Sequence, residues 1–274
     1  MKTYRELLEF GKGRLQEQEI ENPQLDAWLL MEYVFQISRT WYFLHEEEQP
    51  GEEEEKRYMG LIGKRGEHIP LQQLTHEAYF YGLRFYVDEN VLAPRPDTEI
   101  LVEQVLENLP EDQEMEILDL CTGSGCILLS ILANRQNARG TGADLSEKAL
   151  AVAERNGRDL GIKVRWLHSD LFEKIQGQYD VIVSNPPYIR TDVIQGLMEE
   201  VRLHEPYMAL DGHEDGLYFY RKIIVQAGGY LKPGGLLAFE IGYDQGEAVS
   251  SLMKEQGYRQ VQVVKDLAGL DRVV

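Results

Sequence analysis

The sequence of 274 residues has only two cysteines and no long apolar run. Cys121 and Cys126 lie five positions apart beside glycines, a spacing that matches no usual zinc site. We therefore expect reduced thiols, as in a cytosolic protein, and no metal. No apolar stretch approaches the ~18 residues that a membrane-spanning helix needs. The first residues lead into an amphipathic pattern and not into a signal peptide, so we expect a cytoplasmic protein without a membrane partner.

Basic residues are also scarce. Lys and Arg number 28 against 47 Asp and Glu, which leaves a net charge of −19. A nonspecific grip on a phosphate backbone needs clustered basic side chains, so this balance argues against one, although it leaves room for a local basic patch. Part of the negative charge lies in glutamates 46–48 and 52–55, which are typical of a solvated loop and helix start.

The first 75 residues show the spacing of helices. Leu7, Leu8 and Leu15 recur at helical intervals, Pro23 can open a second helix, and Ser38 can cap a third. From residue 76 the pattern predicts a strand pair with a turn near Gly82, followed by a stiff, proline-containing connector at 92–99. The predicted divisions are a helical domain at 1–75, a β-hairpin and linker at 76–98, and a catalytic domain at 99–274.

From residue 115 onward, strand patterns alternate with helix patterns. The predicted strands are residues 115–120, 140–144, 163–168, 179–184, 235–241 and 260–265. This alternation predicts a mostly parallel sheet with helices on both faces. In open sheets of this kind, ligands bind beyond the carboxyl ends of the strands.

A glycine loop follows the first of these strands. Residues 119–126 read Asp-Leu-Cys-Thr-Gly-Ser-Gly-Cys, and an apolar helix comes directly after them. Gly123 and Gly125 allow a tight turn and a close backbone approach to a ligand. The loop differs from the dinucleotide pattern GxGxxG, and it lacks the Lys-Ser/Thr of a phosphate-binding loop. This favours a ligand whose contacts are not dominated by a pyrophosphate.

Two acidic residues end the next two strands. Asp144 stands 19 positions after Gly125, where an acidic side chain commonly binds both hydroxyls of a ribose. The alternative is that Asp144 caps the helix that begins near Ser146. Asp170 could accept a hydrogen bond from an adenine amino group, with Leu171 or Phe172 packed on the base. The alternative for these three is a loop carboxylate and two core residues.

The glycine loop, the two acidic residues and the absence of phosphate-binding groups together indicate S-adenosylmethionine, and not NAD or ATP, as the ligand. The pattern resembles the class I S-adenosylmethionine-dependent methyltransferases.

The strand at 179–184 ends in residues 185–188, Asn-Pro-Pro-Tyr. Its prolines fix φ and lack an N–H, so the loop is stiff, poor in donors and rich in acceptors. Such a loop suits a planar NH2 group held by its two hydrogens. An isolated Asn-Pro-Pro-Tyr is more often a rigid turn with a packed tyrosine, but its place after a cofactor site favours a functional reading. The run 184–189 resembles methyltransferases that act on adenine, cytosine, guanine or glutamine nitrogens.

Longer stretches are similar to the PrmC/HemK family. They are residues 70–75, 80–85, 92–99, 204–206, 215–217 with 220–221, and 239–242. The resemblance extends over nearly the whole chain. It implies a Rossmann-like class I methyltransferase with a seven-stranded, mostly parallel sheet, a small amino-terminal helical bundle and a β-hairpin linker. The implied activity is methylation of the side-chain amide nitrogen of the glutamine in the Gly-Gly-Gln motif of class 1 peptide chain release factors.

The resemblance also implies residue roles. Cofactor contacts fall to Cys121, Thr122, Gly123, Ser124, Gly125, Asp144, Asp170, Leu171 and Asn185. The target glutamine falls to Asn185, Pro186, Pro187 and Tyr188, with Asn185 and Pro186 as the catalytic pair and Tyr188 stacked on the amide. The helical domain would recognise the release factor, and S-adenosylhomocysteine would be the product. From the residues themselves, Glu205 and Glu240 are weaker candidates. Glu205 could order the loop over the substrate, but a carboxylate at a helix start explains it equally well.

Two other functions are compatible with residues 185–188, called the catalytic loop below. A nucleic-acid adenine amino-methyltransferase would share it, but that enzyme would need a basic face and a way of extruding the base, which the net charge argues against. A non-catalytic module that only binds a partner is the other alternative. The intact glycine loop, Asp144 and Asn185 argue against it.

Overall fold

The computed structural model describes residues 1–274. Its α-helices are α1 Tyr4–Glu17, α2 Pro23–Phe35, α3 Arg39–His45, α4 Glu52–Gly66, α5 Leu71–Thr75, α6 Glu99–Asn108, α7 Cys126–Asn134, α8 Glu147–Asp159, α9 Thr191–Ile194, α10 Glu199–His204, α11 Tyr207–Leu210, α12 Tyr218–Ala227 and α13 Gly246–Glu255. Its strands are β1 Ala78–Phe80, β2 Leu83–Phe85, β3 Met115–Leu120, β4 Ala138–Asp144, β5 Val164–His168, β6 Tyr179–Ser184, β7 Leu231–Phe239, β8 Val264–Lys265 and β9 Asp271–Val273. A 3-10 turn covers Pro96–Thr98. No helix combines the length and the apolar character that crossing a membrane requires.

The chain divides into two compact units. The first comprises Met1–His76 and Met198–His204, and the second comprises Glu77–Leu197 and Glu205–Val274. The short segment with α10 thus belongs to the helical unit, although it follows the catalytic loop along the chain.

The helical unit is held by capped helices around an apolar core. Thr3 and Glu6 form a capping box at the start of α1, and the Ser38 hydroxyl accepts the Trp41 N–H at 3.2 Å, as predicted for α3. Fully buried side chains of α1, α2 and α4 form the core: Leu7, Leu15, Leu30, Met31, Tyr58 and Ile62. Burial of these side chains stabilises helices that are too short to persist alone.

The second unit is built on a five-stranded parallel sheet in the order β5-β4-β3-β6-β7. Alternate residues of its strands point to opposite faces. Ile117 and Val181 belong to one apolar cluster, and Leu118 and Ile182 belong to the other. Helices α6 and α7 contribute to the first cluster, and α12 and α13 contribute to the second. Strands β3 and β6 have the predicted bounds because they are buried on both faces and read as continuous apolar runs.

The expected seven-stranded sheet is wrong, since the parallel sheet has five strands. Of the predicted strand 260–265, only Val264–Lys265 is a strand, and it pairs antiparallel with β9. Gln260 has a left-handed backbone, φ 56°, which interrupts the extended conformation. The carboxyl terminus still joins the sheet locally, because the N–H of Phe239 donates to the Val274 carbonyl at 2.8 Å and the N–H of Val274 donates back at 3.0 Å.

The register of the sheet brings the predicted site loops together. Leu120 at the end of β3 is paired with Ala143 of β4 on one side and with Ser184 of β6 on the other. The chain order reverses at β3, because β4 and β6 lie on opposite sides of it. This is the position at which open α/β sheets leave a crevice for a ligand.

Candidate active site

A cavity of about 310 Å³ lies at this crevice in the second unit. Many of the predicted site residues line it, namely Cys121, Thr122, Gly123, Ser124, Asp144, Asp170, Leu171, Asn185 and Pro187. Gly125, Pro186 and Tyr188 do not line it. The structure therefore gathers one residue set from β3, β4, β5 and β6 around a single space.

The glycine loop needs backbone conformations that most residues avoid. Gly123 and Gly125 have φ values of 55° and 78°, and a Cβ on Gly125 would lie 3.0 Å from Trp166. Gly125 therefore supports the loop by close packing behind it. Cys121 has φ 57°, although it is not glycine. Left-handed non-glycine residues store local strain and concentrate at functional sites.

Two further non-glycine residues with left-handed backbones line the same cavity. Leu171 has φ 47° and His213 has φ 67°. The Ser169 hydroxyl donates to the Leu171 carbonyl at 2.9 Å, which holds that turn. Strained backbone therefore occurs on three segments around one space, and this clustering supports a binding role for the cavity.

Asp144 connects the loops that follow β3 and β4. Its Oδ2 accepts the Gly123 N–H at 2.9 Å, and its Oδ1 accepts the Ser146 N–H at 2.8 Å. Ser146, and not Asp144, caps helix α8, because the Ser146 hydroxyl accepts the Ala149 N–H. Burial raises the pKa of the Asp144 carboxyl, and the backbone N–H bonds only partly offset this rise. A carboxylate oxygen can accept more than one hydrogen bond, so Asp144 can also bind a ligand in the cavity that it lines.

The residues after β5 divide between the cavity and the core. Asp170 and Leu171 line the cavity. Phe172 does not, because its ring is stacked on Tyr230 at a centroid distance of 4.6 Å. Of the two residues considered for packing on a base, the structure therefore leaves only Leu171 in place.

Asp119 is a site residue that sequence reasoning passed over. It is fully buried beneath the glycine loop, and the Thr122 hydroxyl donates to its Oδ2 at 2.5 Å. Burial raises the pKa of Asp119 to about 7, although the Thr122 hydrogen bond opposes the rise, and the nearby Asp144 charge adds to it. The available signal was an acidic residue next to the end of a strand, between the apolar residues Leu118 and Leu120.

The catalytic loop, residues 185–188, follows Ser184, whose position is fixed by hydrogen bonds to neighbouring strands. The Ser184 hydroxyl donates to the Leu120 carbonyl at 2.7 Å, and the Glu240 N–H donates to the Ser184 carbonyl at 3.1 Å. The Asn185 side chain follows, half-buried on the cavity wall. Its amide is therefore presented from a rigid strand end, and its oxygen can accept a hydrogen bond from a ligand.

Tyr188, at the end of the catalytic loop, does not line the cavity. Its hydroxyl donates to Glu240 Oε1 at 3.3 Å, and its carbonyl accepts from Gln245 Nε2 at 3.0 Å. Burial raises the pKa of the phenol, and the Glu240 charge adds to the rise. These contacts fix the two polar groups of Tyr188 and leave the faces of its ring unassigned, so the expected stacking on a substrate amide stays a prediction.

Other residues of the cavity lining come from segments 92–99 and 204–208, parts of which are similar to the family in sequence. Arg95 lines the cavity beside Pro206, Tyr207 and Met208. An Arg95 guanidinium nitrogen lies 2.5 Å from Glu205 Oε1, and the Glu205 side chain is only 1% exposed. This ion pair, in which Glu205 is buried and the Arg95 side chain is 40% exposed, joins the connector before α6 to the start of the segment that carries α11.

The charge of the cavity is predominantly negative. Asp144, Asp170 and Asp211 line it, against Arg95, whose charge is already paired with Glu205. A cationic ligand is therefore attracted, and the attraction is stronger in a recessed site than in open water.

Comparisons with known proteins agree with this geometry. Residues 6–75 match the model for the PrmC N-terminal domain, and residues 96–202 match the model for the methyltransferase small domain. The release factor glutamine methyltransferase of Caulobacter vibrioides is 41% identical over 267 residues, covering 96% of this chain and 92% of that protein. The chain belongs to the release factor glutamine methyltransferase family. Other members with the same name are 42% identical in Moorella thermoacetica, covering 98% and 96% of the two chains, and 46% identical in Thermodesulfovibrio yellowstonii, covering 78% of each.

Solved structures support the fold of this family member. A methyltransferase from Pyrococcus furiosus, 19% identical, superimposes with a TM-score of 0.54 over 77% of this chain and 97% of that one. The second unit therefore has the Rossmann-like fold of class I methyltransferases.

S-adenosylmethionine is the methyl donor that the methyltransferase domain implies. The residues present fit it. The acidic cavity suits its positive sulfonium and ammonium groups, Asp144 offers acceptors for ribose hydroxyls, and Asp170 offers one for the adenine amino group. Among the His, Cys, Asp and Glu side chains, no group of three or more is arranged to hold a metal ion.

Proposed function

We propose that this chain transfers a methyl group from S-adenosylmethionine to a glutamine side-chain nitrogen of class 1 peptide chain release factors, in their Gly-Gly-Gln motif. The observation that carries the proposal is Asn185 on the wall of the cofactor cavity, in a chain with relatives of this activity over nearly its full length. The product would be a release factor methylated at that glutamine, in support of translation termination.

The target nitrogen is a poor nucleophile because its lone pair is delocalised into the amide carbonyl. Asn185 Oδ1 and the Pro186 carbonyl would accept its two hydrogens, which turns the lone pair toward the cavity and favours loss of conjugation. Pro186 and Pro187 have fixed φ, so the backbone that carries these acceptors is stiff before substrate binds. Positioning of this kind contributes up to roughly 7–11 kcal/mol for well-oriented reactants.

When bound, S-adenosylmethionine supplies an electrophilic methyl group on a sulfonium. The nitrogen becomes positive as it is methylated, and the acceptor dipoles of Asn185 and Pro186 stabilise that charge. The carbon–sulfur bond would break as the carbon–nitrogen bond forms, with S-adenosylhomocysteine as the leaving group. The proton on nitrogen becomes acidic only at this stage and would pass to water, so no strong general base has to act beforehand. The glycine loop, residues 121–125, would hold the methionine part, and Leu171 would lie beside the adenine.

The placement of Tyr188 adds to the role proposed for it. Because its hydroxyl bonds to Glu240 and its carbonyl to Gln245, Tyr188 is also suited to holding the loop, in addition to the stacking on the target amide predicted for its ring. The helical unit, with residues 1–75 at its centre, is proposed to recognise the release factor as a protein partner. The net charge of −19 supports a protein substrate over a nucleic acid.

The test is incubation of the purified protein with isotopically labelled S-adenosylmethionine and either an intact class 1 release factor or DNA, followed by mass spectrometry. We expect one methyl group on the Gly-Gly-Gln glutamine and none on DNA. A release factor variant with Asn in place of that glutamine is the matched substrate control. Label in DNA and none in protein would overturn the proposal in favour of adenine methylation.

Absence of S-adenosylmethionine binding in calorimetry would instead favour a non-catalytic module.

A further inference from the structure

Glu240 contacts the catalytic loop on both sides of Asn185. Its N–H donates to the Ser184 carbonyl at 3.1 Å, directly before the loop. Its carboxylate accepts the Tyr188 hydroxyl at 3.3 Å, at the end of the loop. Because the main chain of Glu240 is fixed to β6, its side chain gives Tyr188 a rigid acceptor.

Gln245 holds the same residue by its main chain. Gln245 Nε2 donates to the Tyr188 carbonyl at 3.0 Å, and Gln245 Oε1 accepts the Gly242 N–H at 2.9 Å. The Tyr220 hydroxyl donates to the Glu240 carbonyl at 2.8 Å. The side chain and the carbonyl of Tyr188 are therefore both bound to the segment that follows β7.

Gly212 and Gly216, in the segment between α11 and α12, pack against Tyr188 and Gln245. A Cβ on Gly212 would lie 2.7 Å from Tyr188 Cα, and a Cβ on Gly216 would lie 2.7 Å from Gln245 Nε2. Neither distance leaves room for a side chain. Residues 212–216 therefore pack directly on the Tyr188 backbone and limit its movement.

Burial of the Glu240 carboxylate costs desolvation free energy, which its partners must offset. Glu240 is 3% exposed, and burial raises the pKa of its carboxyl. Thr98, the Arg272 charge and the Tyr188 hydroxyl each oppose this rise. Thr98, which contacts the Glu240 carboxyl, also lines the cavity, so Glu240 lies close behind the cavity lining.

We propose that Glu240 is a positioning residue for methyl transfer: through the Tyr188 hydroxyl it holds the 185–188 loop so that Asn185 presents its side-chain oxygen to the target amide. This inference rests on the proposed function for the identity of the substrate. It differs from a packing role because it predicts a loss in turnover without a matching loss in cofactor binding.

The experiment compares Tyr188→Phe, Glu240→Met, Glu240→Gln and the double variant Tyr188→Phe/Glu240→Met. Methionine keeps the length of Glu240 and removes the acceptor, and glutamine restores the acceptor. We expect Tyr188→Phe and Glu240→Met each to lower kcat about tenfold or more, because small misplacements of reacting groups are costly. The double variant should be no worse than the poorer single variant, and Glu240→Gln should recover most of the loss.

Two measurements separate positioning from misfolding. The Kd for S-adenosylmethionine by calorimetry should stay within about twofold of the wild type, since both side chains lie off the cofactor contacts. Hydrogen exchange of segment 185–191, followed by mass spectrometry, should be faster in Tyr188→Phe and in Glu240→Met. Tyr258→Phe is the matched control. It removes a hydroxyl that donates to the Ile224 carbonyl at 3.0 Å, and neither residue lines the cavity.

Multiplicative losses in the double variant would overturn the inference, because they would show that the two groups act independently. A Glu240→Gln variant no better than Glu240→Met would also overturn it, and so would unchanged loop exchange. Failure of the wild type to methylate release factor would instead refute the proposed function. The exchange measurement is independent of that result.

Discussion

Gly123 and Asp144 are joined by a hydrogen bond of 2.9 Å from the Gly123 N–H to Asp144 Oδ2. The bond connects the loop after β3 to the loop after β4, so one carboxylate both shapes the glycine loop and faces the cavity. Replacement of Asp144 should therefore affect the cofactor through two routes, the lost ribose acceptor and the loosened loop.

For Asp144→Asn we expect S-adenosylmethionine to bind about 10–100-fold more weakly, because hydrogen bonds to a charged acceptor are worth about 1.5–3 kcal/mol. Turnover at saturating cofactor should fall much less. Calorimetry with S-adenosylmethionine and S-adenosylhomocysteine measures the change. Asp159→Asn, on the exposed side of α8, is the control, since its pairing with Arg155 is largely solvated. Unchanged affinity in Asp144→Asn would contradict the ribose assignment.

Asn185→Ala should lower kcat by roughly 10²–10³-fold, as for removal of a preorganised polar group at a reacting centre. Cofactor affinity should change little, because most of the cofactor contacts are proposed to come from the glycine loop, Asp144 and Asp170. Methylated release factor peptide is quantified by mass spectrometry. Asn108→Ala serves as a control, because its exposed amide bonds only to the Gln104 carbonyl in α6. Near-normal turnover in Asn185→Ala would show that the mechanism is wrong.

Stability should depend on pH through Asp119. Its folded-state pKa is raised to about 7 from the ordinary 3.8, so the folded protein holds this proton longer than the unfolded chain does. The resulting stabilisation is complete below about pH 4 and is lost as pH rises through about 7. The contribution amounts to about 4 kcal/mol, from about 1.4 kcal/mol for each unit of pKa.

Asp119→Asn removes this titration and keeps an acceptor for the Thr122 hydroxyl. The free energy of unfolding of the variant, relative to the wild type, should therefore increase between pH 4 and pH 8. Urea unfolding at several pH values gives this difference directly. Parallel pH curves for the two proteins would mean that Asp119 does not titrate in this range.

Within the helical unit, Arg65 is the centre of a buried network. Its side chain lies 2.7 Å from Asp26 Oδ2 and 2.8 Å from Glu200 Oε2, and it is only 6% exposed. Arg65→Ala should destabilise the protein by about 3 kcal/mol or more, because it leaves the buried Asp26 without its partner. Adding Asp26→Asn should recover part of the loss.

Thermal unfolding monitored by circular dichroism measures the effect of the Arg65 variants. Arg14→Ala is the matched control, because its pair with Glu17 is exposed on both sides and should contribute about 0.5 kcal/mol or less. Equal shifts in Tm for Arg14→Ala and Arg65→Ala would rule out a stabilising network at Arg65.

Local patterns determined much of the fold. Strands β3 and β6 have the bounds that their apolar runs predict, and Ser38 caps α3 as expected. Strands that are buried on both faces need apolar residues at successive positions, so such runs can be predicted from the sequence alone. The strand predicted at 260–265 failed because alternation shows only that a segment could pair. Whether a neighbouring strand is present is decided elsewhere in the chain.

The sequence by itself determined the residue types of the site, from the glycine loop to Asn185, and their places at the ends of strands. Only the tertiary structure decided their environments. It placed the Tyr188 hydroxyl against Glu240, stacked Phe172 on Tyr230, and buried Asp119 deeply enough to raise its pKa. The physical reason is that rotamer direction, desolvation and hydrogen-bond partners depend on residues distant in the chain, as with Tyr188 and Glu240 across 52 positions.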